Sequence, residues 1–162
     1  MKIAISESQY KRLFEQEEYV LQIPSLEYFN NDWNLLQKYL KSKGNPLYSI
    51  GENLDLRRTP IESLGNLISV GGDLHLRGTP IESLENLTSV GGGIYLMKTP
   101  IKSLGNLTSV GGTLDLRGRP IKSLGNLTSV GGILNLIGTP LSKMYDSDEI
   151  RKMVKVGGDL YL

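Results

Sequence analysis

The sequence contains no cysteine, which excludes a disulfide framework, a thiolate metal site and a cysteine nucleophile. It contains one histidine, His75, so a multi-histidine metal site is excluded as well. An excess of charge is also lacking: 18 Lys and Arg stand against 17 Asp and Glu, a formal net charge of +1. A general nucleic-acid binder needs a basic surplus to displace counterions from phosphates, so that class is set aside. No apolar run approaches the length of a membrane span. The opening MKIAISESQYKRLF has no apolar stretch of the signal-peptide kind. What is plentiful is leucine and, at 19 residues, glycine.

These two residue types are distributed periodically. Leu54, Leu74, Ile94, Leu114 and Leu134 recur 20 residues apart, and so do Pro60, Pro80, Pro100, Pro120 and Pro140. A 20-residue unit cannot bury enough apolar surface to order itself. Stacked copies share their buried faces and complete each other's backbone hydrogen bonds, which makes a solenoid. Within a unit, L-x-L alternates with period two and predicts a short strand with Leu74 and Leu76 inward and Asp73, His75 and Arg77 outward. The preceding Gly71-Gly72 and its equivalents predict a turn with room for positive φ. Thr-Pro ends each strand, because proline has no N–H to donate. The remaining IESLGNLTSV places apolar residues three apart and predicts a short helical or 3₁₀ return.

The phrase L-x-N-L-T-S-V-G-G-x-L-x-L occurs at Leu84–Leu96 (with Ile94 in a leucine slot), Leu104–Leu116 and Leu124–Leu136, with a degenerate copy in LYSIGENLDL from Leu47. It resembles leucine-rich repeats, most closely those of receptor L-domain proteins. The resemblance covers residues 47–140 and implies an α/β solenoid with a curved parallel sheet on its concave side and an irregular convex side. It departs from the usual pattern in the turn after the strand. There Thr59, Thr79, Thr99 and Thr139 stand where such repeats carry Asn, and Arg119 breaks the column. A second column, Asn66, Asn86, Asn106 and Asn126, is expected to cap backbone groups; the N-x-T triplets it forms are read as repeat residues and not as glycosylation sites. Without cysteine or a leader, the ectodomain role of receptor L-domains is not carried over.

Residues 1–46 are expected to form a helical N-terminal cap over the open end of the solenoid of residues 47–162. Ser6 and Gln9 form a capping-box pattern ahead of a helix over 7–18 with Tyr10, Leu13 and Phe14 on one face. Residues 19–23 suit a short strand. Asn31 or Asp32 can start a second helix bearing Trp33, Leu36 and Leu40, with Gly44 as its stop. The rival reading of the first helix is a detachable docking tag. At the other end, a longer last repeat predicts a helix over 147–156 capped by Ser147 or Asp148, with Ile150, Met153 and Val154 as its apolar face. The strand after it is an open edge, and self-association through 158–162 is expected there. The opening MKIAISESQYKRLFEQ is similar to the starts of small proteins of marine phages, which implies a place in the cytoplasm or in a virus particle.

The candidate partner-binding surface is the outward side of the L-x-L ladder: Asp55, Arg57, His75, Arg77, Tyr95, Met97, Asp115, Arg117, Ile133, Asn135, Ile137 and Tyr161. These positions vary while the buried columns do not, as a recognition surface requires; free drift of outward positions is the plainer explanation. Tyr, Met, Arg and Ile at outward sites favour an interface. The Asp and Arg columns are expected to pair across strands. His75 near Asp55 and Asp73 suggests an acid–base pair, but no serine sits beside it in a nucleophile's setting. The reading is therefore a non-enzymatic module that binds a protein or peptide, without cofactor or metal. A structural subunit of a larger assembly, such as a phage particle, is the alternative.

Overall fold

Alternation of leucine with polar residues, bounded by glycine pairs and Thr-Pro, produces strands only two to four residues long, joined sideways into ladders. The computed structural model describes residues 19–162; the helix expected over 7–18 lies outside them. A strand β1 (Leu21–Ile23) leads through a 3₁₀ turn (Leu26–Phe29) to helix α1 (Trp33–Ser42). The coils follow as strand pairs: β2 (Tyr48–Ile50) and β3 (Leu54–Asp55), β4 (Leu67–Val70) and β5 (Leu74–His75), β6 (Ser89–Val90) and β7 (Ile94–Tyr95). Next come β8 (Ser109–Val110) and β9 (Leu114–Asp115), then β10 (Ser129–Val130) and β11 (Leu134–Asn135). A 3₁₀ turn (Leu141–Lys143) and helix α2 (Ser147–Met153) precede β12 (Lys155–Val156) and β13 (Leu160–Tyr161).

The chain is a parallel-strand β-solenoid, with about four 20-residue turns between Leu54 and Leu134. One sheet has seven strands in the order β1-β2-β4-β6-β8-β10-β12 and the other has six, β13-β11-β9-β7-β5-β3. Register advances by one repeat at every step: Leu54, Leu74, Ile94, Leu114 and Leu134 pair in succession, as do Ser69, Ser89, Ser109 and Ser129. The apolar columns merge into one core from Ile23 to Val154.

The return stretch is not helical. The stretch is broken by a turn at Gly65, Glu85, Gly105 and Gly125, where φ is positive, and its Ser-Val ends form the seven-stranded sheet, so the side expected to be irregular carries a second parallel ladder. Spacing of three suits a chain that turns a corner between Leu84, Leu87 and Val90, all buried. The amides of Thr88, Thr108 and Thr128 donate to the coil before (2.8 Å each), and their hydroxyls do the same. The amides of Leu87, Leu107 and Leu127 close a single turn onto the carbonyl three residues back (3.0–3.1 Å), and bonds to the neighbouring coil take the place of any further helical turn.

The glycine pairs also serve a different purpose from the expected one. None has a left-handed backbone; positive φ falls instead at Arg58, Gly78, Lys98, Gly118 and Gly138, in the turn after the strand, and at Gly65, Glu85, Gly105 and Gly125, in the turn of the return stretch. At Gly71, Gly91, Gly111 and Gly131 a Cβ would lie 2.0–2.2 Å from the carbonyl oxygen of the equivalent glycine one coil earlier. The coils touch backbone to backbone there, and only glycine permits it.

Asp32 caps α1, accepting from the amides of Asn34 and Leu35, and buries Trp33, Leu36 and Leu40 in the common core. Tyr48 ties this helix to the first coil: its hydroxyl donates to the Leu64 carbonyl (2.9 Å) and accepts from Gln37 (3.2 Å). Burial pushes its pKa well above the usual phenol value. The strand expected over 19–23 is β1, paired with β2. The expected helix over 147–156 is shorter, ending at Met153, because Lys155 and Val156 join β10. Its cap is Asp146, in a capping box with Glu149, and Met153 is exposed while Ile150 and Val154 are buried. The asparagine column does cap backbone at two coils: Asn66 donates to the Asn45 carbonyl (2.7 Å) and Asn86 to that of Gly65 (3.2 Å).

Two alanine substitutions separate close approach from backbone conformation. Gly118 has φ +66° and open space where a Cβ would go, so Gly118→Ala should cost about 1 kcal/mol. Gly91→Ala forces backbone apart and should cost about 2–4 kcal/mol, a Tm loss of roughly 5–10 °C by calorimetry.

Candidate functional site

The outward side of the six-stranded sheet is built by alternation. Leu54, Leu74, Ile94, Leu114 and Leu134 are fully buried, and each next residue, Asp55, His75, Tyr95, Asp115 or Asn135, points out. Two residues on, Arg57, Arg77, Met97, Arg117 and Ile137 are all exposed. Ile133 is half-buried beside the corner, and Tyr161 is exposed on β13.

Aspartate and arginine pair within a coil, not across strands as expected. Arg57 Nε donates to both carboxylate oxygens of Asp55 (2.9 and 3.0 Å), and Arg117 Nε does the same to Asp115 (3.0 Å each). Nη2 of each arginine donates to Oδ2 as well, and its backbone amide adds a fourth bond at 3.1 Å. An outward Asp two residues before an outward Arg thus closes a local ring, and the Arg57 guanidinium holds the Asp55 carboxyl below the usual carboxylate range. At Asn135 the same geometry survives in weaker form, its side-chain oxygen accepting from the Ile137 amide at 3.2 Å.

Between the two ion pairs lie the aromatics. His75 and Tyr95 stack with ring centroids 4.7 Å apart and 8° between planes. The stack has its own floor: Gly93 carries no side chain, and a Cβ there would meet the Tyr95 hydroxyl at 3.0 Å. Asp73 lies 3.9 Å from His75 Nε2, but its other oxygen accepts from the Gly93 amide (2.7 Å), just as Asn53 accepts from the Asp73 amide (2.7 Å). Asp73 is thus a link between coils. Tyr95 keeps 38%, Met97 48% and Ile137 46% of their surface exposed. Tyr161 donates to Asp159 at 3.2 Å, and that neighbouring carboxylate raises its pKa. The arrangement can stack, pair with ions and cover apolar groups. Among the described residues no group of three His, Asp or Glu could hold a metal ion, and no helix is long and apolar enough to cross a membrane.

The sequence reading missed a groove of about 660 Å³, which runs along the other sheet. Its lining includes Ser69, Ser89, Ser109 and Ser129 and the glycines one coil step apart beside them, with Gln22 towards one end and Lys155 towards the other. Ser49 donates to Gln22 at 2.5 Å. The invariant S-V-G-G is the available signal, obscured because apolar spacing of three suits a helical return equally well.

The Asp55–Arg57 ring predicts a titration. Because the folded carboxyl is depressed, the pair is intact above the ordinary carboxylate range and is lost as pH falls through the lowered value. By carboxyl ¹³C NMR, Asp55 should titrate below about 3.9. Arg57→Ala should move it back up while leaving Tm unchanged, since the pair is exposed and screened by solvent. No protein-family model, curated protein or solved structure matches the chain.

Proposed function

We propose that this chain is a non-enzymatic interaction module that holds a protein or peptide on the outward face of its six-stranded sheet. The observation that carries this reading is the His75–Tyr95 stack, with Tyr95 exposed beside Met97, in a column that otherwise holds Asp55, Asp115, Asn135 and Tyr161. A repeat kept uniform in its buried columns has no packing reason to place an aromatic stack and a bare thioether on its wet side. Aromatics, methionine and arginine are the residues that interface centres favour. In the same reading the coils are leucine-rich repeats of the receptor L-domain kind, supported by the L-x-L strands at 20-residue register, and the described part of the 1–46 segment, residues 19–46, caps them, supported by the burial of Trp33, Leu36 and Leu40.

A second reading, a structural subunit of a larger assembly such as a virus particle, is favoured by one specific observation. Val156 and Leu160 are only partly buried, whereas Val130 and Leu134 in the same columns are 1% and 0% exposed. The outer edges of β12 and β13 carry no paired strand among the described residues.

The two readings separate by mutation. Under the first, Tyr95→Ser with Met97→Ser abolishes capture of a soluble partner, followed by mass spectrometry, and leaves assembly intact. Under the second, removing residues 158–162 abolishes association in sedimentation at micromolar concentration and spares capture. If neither change alters any interaction, both readings fail.

A further inference from the structure

The strands of the six-stranded sheet end along one edge, and there the repeat departs from its own rule in a single direction. The turn after each strand needs a left-handed backbone. Gly78, Gly118 and Gly138 supply it at φ +75°, +66° and +70°, but Arg58 and Lys98 adopt it at φ +59°. A side chain is strained in that conformation where glycine is not, so local stability favours glycine in all five coils. The next position is threonine in four coils, and at Thr59, Thr79 and Thr99 its hydroxyl donates to the carbonyl three residues back. The exception is Arg119, which reaches the Thr99 carbonyl of the coil before. Each of these departures is a basic residue, in a chain of formal charge +1.

The cations gather. Arg57, Arg58 and Arg77, with Asp55, line an open depression of about 420 Å³. The two aspartates of the strip, Asp55 and Asp115, are each held by their own arginine. Among the described residues no carboxylate lies within 4.0 Å of Arg58, Arg77 or Lys98. Glu62 and Glu82 follow further along the coils, but Glu82 pairs with Lys102 at 2.7 Å and neither meets a cation of the strip.

We propose that this edge is a docking strip for an extended acidic peptide, whose carboxylates meet Arg58, Arg77 and Lys98 while an apolar side chain rests on Met97. The inference rests on the interaction reading above and names the chemistry of its partner. Neighbouring strands are about 4.8 Å apart, so the two steps from Arg58 to Lys98 span roughly 10 Å. In an extended chain, residues on one side recur about every 6.8 Å, so two alternate acidic residues come within reach of the long side chains of the strip. A continuous phosphate backbone fits less well, because Asp55 and Asp115 lie within the strip and Met97 interrupts it. Charge-assisted bonds from guanidinium and ammonium groups to carboxylates supply specificity.

The test is fluorescence anisotropy with a synthetic peptide alternating Glu and Ser around one central Leu. The same peptide with Gln for Glu, and a single-stranded oligothymidylate, serve as comparisons. The glutamate peptide should bind, more weakly as salt rises, and the glutamine peptide should not. Arg58→Gly with Lys98→Gly should weaken binding about tenfold while Tm stays equal to or above that of the parent, since both changes restore the repeat's own turn residue. Unchanged binding by this double variant, equal binding of the glutamine peptide, or tighter binding of the oligothymidylate would overturn the proposal. So would a lower Tm, which would make Arg58 and Lys98 packing residues. Failure of the glutamate peptide to bind, while Tyr95→Ser with Met97→Ser still abolishes capture of a soluble partner, would sink the acidic strip and leave the interaction reading standing.

Discussion

Backbone contact between successive coils at their glycine corners is the constraint on which the rest depends. The carbonyl of each corner glycine faces the next coil's glycine with no room for a methyl group, and the amides of Gly71, Gly91, Gly111 and Gly131 donate to Ile50, Val70, Val90 and Val110 at 2.8 Å. That contact fixes the spacing of the coils. Once it is fixed, each leucine has its equivalents above and below it, and two narrow ladders close around one apolar interior. A strand of two residues has almost no stability of its own; it exists because the same two residues recur at the same height in every coil.

Uniform stacking leaves polar groups to be satisfied coil by coil, and short side chains do this work. Asn53 and Asp73 hand a side-chain oxygen to the next coil's amide, and Thr88, Thr108 and Thr128 add hydroxyls to the backbone ladder. Among the described residues no buried side-chain polar atom lacks a partner. Some positions that look functional in the sequence are thereby absorbed into the architecture, Asp73 first among them. What remains uncommitted is narrower: one face of the aromatic stack, the thioether beside it, and cations at the turn.

The turn edge shows how a repeat reveals function against its own background. Five near-copies within one chain supply the expectation that homologues would otherwise supply. Glycine is the low-strain residue in the turn and threonine closes it, so Arg58, Lys98 and Arg119 are measurable departures, and they share one sign of charge. Strain kept at a surface position that packing does not require is a functional signal.

The repeat, its 20-residue register, the burial of the leucine columns and the outward placement of His75 and Tyr95 were legible in the sequence, because period two and a repeated column of leucines have few other physical solutions. So were the start of α1, at Asn31 or Asp32, and its buried stripe. The second sheet was not, because apolar spacing of three reads the same for a helical turn as for a strand rounding a corner, and only neighbouring coils decide between them. Nor was the purpose of the glycine pairs, which is close approach to a residue 20 positions away and not local φ. The pairing of Asp55 with Arg57, the stacking of His75 on Tyr95 and the end of α2 at Met153 were likewise decided in three dimensions. Each depends on what lies across the ladder, and a single coil's sequence carries no record of its neighbour's height.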